Sequence, residues 1–423
     1  MNAIVAPFKT AAETELTKLF ANARPAGLET LRIKAFASLE ASGLPHRRIE
    51  AWHYTDLRAM MRTAAPLAAK PGAEWASKRP WSLVKDDTVF AFVDGWLVKS
   101  PALPKGVTVT SFADDAAKVA NALNKGVDLT TDAVSSLNTA FMTGGLLIEV
   151  TKAADGKQPL ALAFETTGAT ASSARIIVSV GEGASLTLIE THRGQPGAQE
   201  NTVIEFTLGK GASVEHIRVN AAGTTAQTLS TVAASVAAKA SFSTLSFTTG
   251  AALSRHQVFV RVHGDDATVG VRGVSLLRGT QHADSTLVVE HDALNGVSRE
   301  LFKTVIDDEA RGVFQGKIIV KPHAQKTDGQ MASNALLLGE NSSMHGKPEL
   351  EIFADDVVCA HGATVGSLDD DLLFYLRSRG IARKEAEALM IQAFAGVALE
   401  YVSHDDLREV LTNMTQDWLA ERR

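Results

Sequence analysis

Over the first 65 residues, apolar side chains recur at helical spacing. Leu28, Leu31, Ile33, Phe36 and Leu39 are separated by Ala-rich fillers, and Gly43-Leu44-Pro45 ends the run. Residues 66–85 carry Pro66, Pro71, Gly72 and Pro80 and read as a linker. An apolar run at residues 89–93, followed by Asp94-Gly95, predicts a strand entering a hairpin turn. An Ala- and Asp-rich stretch at 114–123 predicts a helix. The character changes near Gly144. From there to about Gly366 the chain is rich in Val, Thr and Ser, with glycine every few residues and little helical periodicity. Beyond Leu368 helical spacing returns. Residues 369–378 predict a short helix stopped by Gly380. Residues 383–402 predict a longer one, with Ala386, Leu389, Met390, Ala393, Val397 and Tyr401 on one face and Ile391, Ala395 and Leu399 on another. A helix apolar on two sides either lies between layers of its own domain or meets a partner.

The β-rich middle contains a repeat. Gly183-Ala184-Ser185-Leu186 is echoed by Gly211-Ala212-Ser213-Val214, Lys239-Ala240-Ser241-Phe242 and Asp266-Ala267-Thr268-Val269, in steps of 28, 28 and 27 residues. Glu309-Ala310-Arg311-Gly312 reads as a further, displaced copy. Strands and turns at a constant period, without a helix, predict a β-solenoid. A large β-sandwich is the alternative, but it has no need of constant spacing. The open sheet edges of a solenoid must be capped or paired with another chain.

Composition narrows the chemistry. The 423 residues carry a net charge of −6 and 6% aromatics, which argues against a general phosphate-binding surface or a base-stacking platform. No nucleic-acid or membrane partner is expected. Residues 1–10 show no signal-peptide run and no segment approaches 18 uninterrupted apolar residues, so a soluble cytoplasmic protein is expected. Gly-Lys at 156, 209, 316 and 346 is never followed by Ser or Thr, so there is no P-loop. One cysteine excludes intrachain disulfides, paired C-x-x-C zinc sites and a self-contained four-cysteine iron–sulfur cluster. Cys359-Ala360-His361 places a thiol and an imidazole on the same face of a strand, where they could share a soft metal ion or a sulfur species. The plainer reading makes Cys359 a small buried hydrophobe and His361 a turn cap. Asp265-Asp266, Asp307-Asp308 and Asp355-Asp356 raise a different class, a β-solenoid carbohydrate-active enzyme using paired carboxylates.

The stretch Pro348-Glu349-Leu350-Glu351-Ile352-Phe353-Ala354-Asp355-Asp356-Val357-Val358-Cys359-Ala360-His361-Gly362-Ala363-Thr364-Val365-Gly366 resembles the signature of the SufB/SufD family of iron–sulfur cluster assembly proteins. So do Leu373-Phe374-Tyr375-Leu376-Arg377-Ser378-Arg379-Gly380-Ile381 and the later Glu385-Ala386 and Gln392-Ala393-Phe394. Glu50-Ala51-Trp52-His53-Tyr54-Thr55-Asp56 resembles the E-x-W-x-Y-T phrase of the SufD branch. That branch is also the better match at Gly362, where SufB has Glu, and at residues 330–338, which lack the SufB cysteine.

The resemblance implies a mainly β protein, a right-handed parallel β-helix core at 144–366 between an N-terminal helical domain with linker (1–85), a mixed connecting region (86–143) and a C-terminal helical domain (367–423). It implies a non-catalytic scaffold that pairs with SufB and docks the ATPase SufC. Phe374, Tyr375, Arg379, Ile391, Ala395 and Leu399 are the docking candidates. A transient iron–sulfur cluster would be shared with SufB at His361, with Cys359 beside it. Reduced flavin is a candidate cofactor of the complex, and homodimerisation without SufB is left open.

Overall fold

The computed structural model describes residues 9–22, 28–83, 88–154, 156 and 158–422. Residues 1–8, within the stretch inspected for a signal-peptide run, the end of the linker at 84–85 and residues 86–87 lie outside the described residues. From Gly144 to Gly366 the strands alternate between two parallel sheets. Sheet I runs from Val358–Gly366 through Asp328–Leu337, Val297–Ile306, Thr268–Leu277, Ser241–Thr248, Ser213–Asn220 and Ser185–Arg193 to Leu160–Glu165. Sheet II runs from Ser343–Ile352 through Arg311–Val320, His282–His291, Leu253–Val262, Gln227–Val236, Gln199–Leu208 and Ala171–Val180 to Gly144–Val150. Each turn of the chain adds one strand to each sheet. This is a parallel β-solenoid of about eight turns, and the sandwich alternative falls.

The repeat phrase is the start of each sheet I strand. Ser185, Ser213, Ser241 and Thr268 stand in one register column. Val297, Asp328 and Val358 continue it, so the steps widen to 29, 31 and 30. The displaced copy is corrected by the same registers: Arg311 opens a strand of sheet II and aligns with His282. A two-sheet turn has two strand entries, and both favour a small residue before the strand.

Physics at the turn explains the phrase. Gly183, Gly211, Lys239, Asp266, Asn295 and Lys326 all have φ between 57° and 64°, the left-handed region. Each amide donates to a carbonyl of the next turn, such as Gly211 to Ala238 at 2.9 Å and Asp266 to Leu294 at 3.0 Å. The chain then points inward, and Ala184, Ala212, Ala240 and Ala267 fill the narrow corner, each at most 1% exposed. Only a small side chain fits there.

The first end of the solenoid is closed. Thr88–Val93 extends sheet I in parallel, and Trp96–Lys99 returns antiparallel through the predicted turn, with φ of 53° at Asp94 and 83° at Gly95. Val107–Ser111 closes sheet II antiparallel to Gly144–Val150. Eight α-helices follow in chain order: α1 Ala11–Asn22, α2 Glu29–Ser42, α3 Leu57–Met60, α4 Ala116–Ala122, α5 Ala133–Phe141, α6 Asp370–Ser378, α7 Arg383–Leu399 and α8 Asp405–Ala420, counted among the described residues. On the outer face of sheet II, Phe20, Phe36 and Phe141 of α1, α2 and α5 pack together near Leu229 and Leu253. On the outer face of sheet I, α7 and α8 bury Ile391, Ala395, Leu399, Leu411 and Trp418 against Ile217, Leu245, Phe247 and Val274.

Gly211 isolates the cost of the turn, because a Cβ there would meet nothing within 4 Å. Gly211→Val should therefore lose ~1–2 kcal/mol of unfolding free energy in urea titration, while Gly211→Asn, which tolerates the left-handed region, should lose much less.

Candidate functional site

The second end of the solenoid is open. Ser343–Ile352 of sheet II and Val358–Gly366 of sheet I are the outermost strands, each with a strand neighbour on one side among the described residues. The connection between them exposes Phe353, and Val358 and Val365 are also exposed. Unpaired edges of this length invite another strand.

Cys359 and His361 lie on this last strand. Register pairs Cys359 with Gly329 and His361 with Met331. Met331 is buried in the solenoid interior and Cys359 packs against the same cluster. Both candidates therefore take the inward phase, as their i, i+2 spacing predicted. Cys359 is half-buried and His361 is exposed at the mouth. Burial pushes the Cys359 thiol up, and the nearby carboxyls of Asp328 and Glu300 add to this against an opposing backbone hydrogen bond at Gly329. At neutral pH Cys359 is a thiol and needs an incoming cation to become a thiolate. Among the described residues there is no cluster of three or more His, Cys, Asp or Glu placed to hold a metal ion.

One residue at this end escaped the sequence reading. Glu300 precedes His361 in the same inward column, in the order Val271, Glu300, Met331, His361. Two turns separate Glu300 from His361, ~10 Å at the usual strand spacing. It is 2% exposed, and no well-formed hydrogen bond reaches either carboxyl oxygen among the described residues. Burial raises its pKa to about 8; Ser298, Arg299 and Arg272 pull the other way too weakly to offset this. Glu300 is thus a neutral acid at pH 7. Its alternation with Phe302 was the available signal, because both share the inward phase.

Deeper in the lumen the buried charges neutralise one another. Glu190 accepts from His192 at 2.6 Å and His216 at 3.1 Å, and Glu200 meets the other ring nitrogen of His192 at 2.6 Å. Burial alone would lower His192, but Glu200 and Glu190 raise it. Both histidines are thereby held by hydrogen bonds to carboxylates.

The docking candidates separate into two groups. Asp369 caps α6 by accepting from the Asp371 and Leu372 amides, and Gly380 stops the chain at φ 87°. The helix between leaves Phe374 74% and Tyr375 52% exposed, with the exposed Arg379 5.1 Å from the Tyr375 ring. Ile391, Ala395 and Leu399 are corrected: they are at most 2% exposed and face sheet I, so they hold α7 onto the solenoid. The outward side of α7 is instead Leu389 and Val397, while Tyr401, just past the helix, stacks on Arg272 of sheet I at 4.0 Å. The two-sided greasiness of α7 reflects one fully internal face.

The aspartate doublets are turn residues, which removes the geometry of the carbohydrate-active reading. Asp265 and Asp266 bond Leu294 and Asn295 of the next turn. Asp308 accepts from the Gly279 amide, Asp307 pairs with Arg422, and Asp356 pairs with Lys326.

The chain is thus a parallel solenoid closed at one end, with Cys359 and His361 on the outermost strand of its open end. The family model described as SUF system FeS cluster assembly, SufBD core domain, matches residues 163–394, more than half of the chain. The chain is 31% identical over 379 residues to the iron-sulfur cluster assembly protein SufD of Escherichia coli (strain K12), covering 86% of this chain and 87% of that protein. It is 30% identical over 387 residues to the iron-sulfur cluster assembly SufBD family protein slr0076 of Synechocystis, covering 86% and 85%. A chloroplastic relative, protein ABCI7 of Arabidopsis thaliana, is 28% identical over 248 residues, covering 57% and 52%. The chain belongs to the SufB/SufD family of SUF iron–sulfur cluster assembly proteins, on its SufD side. No helix among the described residues is long and apolar enough to cross a membrane.

Glu300 has a testable signature. Between pH 4.5 and about 8 the folded chain keeps a proton that the unfolded chain releases, so this group lowers stability as pH rises across that window. Glu300→Gln should flatten the dependence, with a ceiling of roughly 5 kcal/mol at pH 8 and little effect at pH 4.5, as read by denaturant titration.

Proposed function

We propose that this chain is a non-catalytic scaffold subunit of a SUF assembly complex. Its open edge pairs with SufB, its C-terminal helices dock SufC, and an iron–sulfur cluster is built as cargo at the SufB junction. The observation that carries this reading is the partial ligand set: Cys359 and His361 share the inward face of an outermost strand, with no third group completing a metal site among the described residues. A partner strand added to that edge would supply the missing ligands and cover Phe353, Val358 and Val365 at the same time.

In this reading His361, exposed at the mouth, is a ligand or proton carrier. Cys359 is a secondary thiolate, formed when the incoming metal ion or a partner's positive charge offsets its burial. Phe374, Tyr375 and Arg379 contact SufC, because they are the exposed members of the docking set. Two SufC subunits moving on ATP would twist the SufB edge against this one and open the buried site.

Co-expression with SufB and SufC tests the scaffold reading. One stable complex is expected, and a chain that stays monomeric or only self-pairs overturns it. In the assembled complex, His361→Ala should cut cluster formation at least tenfold without dissociating the subunits; normal assembly removes His361 from the mechanism. Phe374→Asp should weaken SufC retention at least tenfold, about 1.4 kcal/mol, while leaving the thermal midpoint of the free chain unchanged. Ile391→Asp should instead destabilise the free chain, because its side chain is internal.

A further inference from the structure

Residues 50–55 pack on the outer face of sheet II and touch strands of four successive turns. Two adjacent outward columns receive them. One reads Arg255, Asp284, Val313, His345 and the other Gln257, Thr286, Gln315, Lys347, each from the interior of the solenoid out to its open edge. On the interior turns the contact is dense and buried. The Ala51 carbonyl accepts from Arg255 at 2.8 Å and from Gln315 at 3.1 Å. The Trp52 ring lies 3.6 Å from the Arg255 guanidinium, which also pairs with Asp284. Thr55 donates to Asp284, and its hydroxyl is 2.9 Å from His282. Arg255, Asp284, Thr55 and Trp52 are all buried.

On the outermost strand the same segment makes a second, lighter set of contacts. Tyr54 stacks on His345 with ring centroids 5.1 Å apart and planes at 16°. Glu50 pairs with Lys347, which also reaches Glu349 at 3.3 Å. Strand Ser343–Ile352 has a ladder neighbour on one side only among the described residues. On its other side it lacks the turn that would hold an inner strand in place.

We propose that residues 50–56 clamp the open edge, with Trp52 and Thr55 as the anchor and Tyr54 and Glu50 as positioning residues that hold strand Ser343–Ile352 ready for strand addition. The clamp rests on the proposed pairing of that edge for its purpose, but its mechanics belong to this chain alone. Magnitudes separate the two halves. An exposed ion pair and a ring stack are each weak, far below what holds the solenoid together. Local opening of an edge strand, however, lies at the low end of the stability range, and there such contacts dominate. The clamp therefore sets the order of the edge and leaves the core alone.

Hydrogen exchange on the full chain without partners tests this directly. Tyr54→Ala combined with Glu50→Gln should speed exchange in peptides from Ser343–Ile352 by about tenfold. Peptides from Leu253–Val262 and the thermal midpoint should not change. Tyr54→Phe, which keeps the stack, should restore protection at the edge. Unchanged exchange at Ser343–Ile352, or equal acceleration in every turn, overturns the clamp. Affinity for SufB then reports separately: a loosened edge that binds SufB as tightly as the native chain keeps the clamp and sinks the assignment of this edge as the pairing surface.

Discussion

In-register parallel stacking is the constraint from which everything else follows. Every strand from Gly144 to Gly366 is bonded to the strand one full turn before or after it, so a residue's neighbours are its own counterparts 26 to 32 residues away. Such a ladder has no internal reason to stop. The first end stops because two strands run antiparallel across it. The second end carries no such cap among the described residues, and the chain places Cys359 and His361 there.

The same stacking decides what may be buried. An inward column is a column in every turn, so one polar residue demands polar company above and below. Glu190, His192, His216 and Glu200 meet that demand by pairing with one another. Glu300 does not; between Val271 and Met331 it keeps its proton instead. A lone neutral acid two turns below His361 costs stability that an apolar residue would not. The outer faces follow a simpler rule. α7 and α8 cover sheet I with apolar packing, whereas sheet II is partly covered by α1, α2 and α5 and partly crossed by the polar anchor at Arg255 and Asp284.

Much of this was legible in the residues taken alone. The repeat at Ser185, Ser213, Ser241 and Thr268 marked real register, because a left-handed turn residue followed by a corner alanine is a local requirement. The shared phase of Cys359 and His361 followed from strand alternation, and the short helix before Gly380 from its cap and stop. A single cysteine already excluded a self-contained four-cysteine cluster. These are properties of neighbours in the chain, which local chemistry specifies.

Tertiary structure decided the rest. Helical periodicity showed that α7 is apolar on two sides, but only the packed sheet determined that Ile391, Ala395 and Leu399 are internal and Tyr401 and Leu389 are not. Glu309-Ala310-Arg311-Gly312 looked like another repeat because both strand entries of a turn use small residues, and only the register assigned it to sheet II. Glu300 is adjacent to nothing chemical in the chain; stacking puts it in one column with His361, and burial then keeps its proton. Likewise, the E-x-W-x-Y-T phrase acquires its contacts from residues more than 200 positions away. Periodicity reveals which side of an element is apolar. Which partner covers that side, and at what distance, depends on contacts between segments that are far apart in the chain.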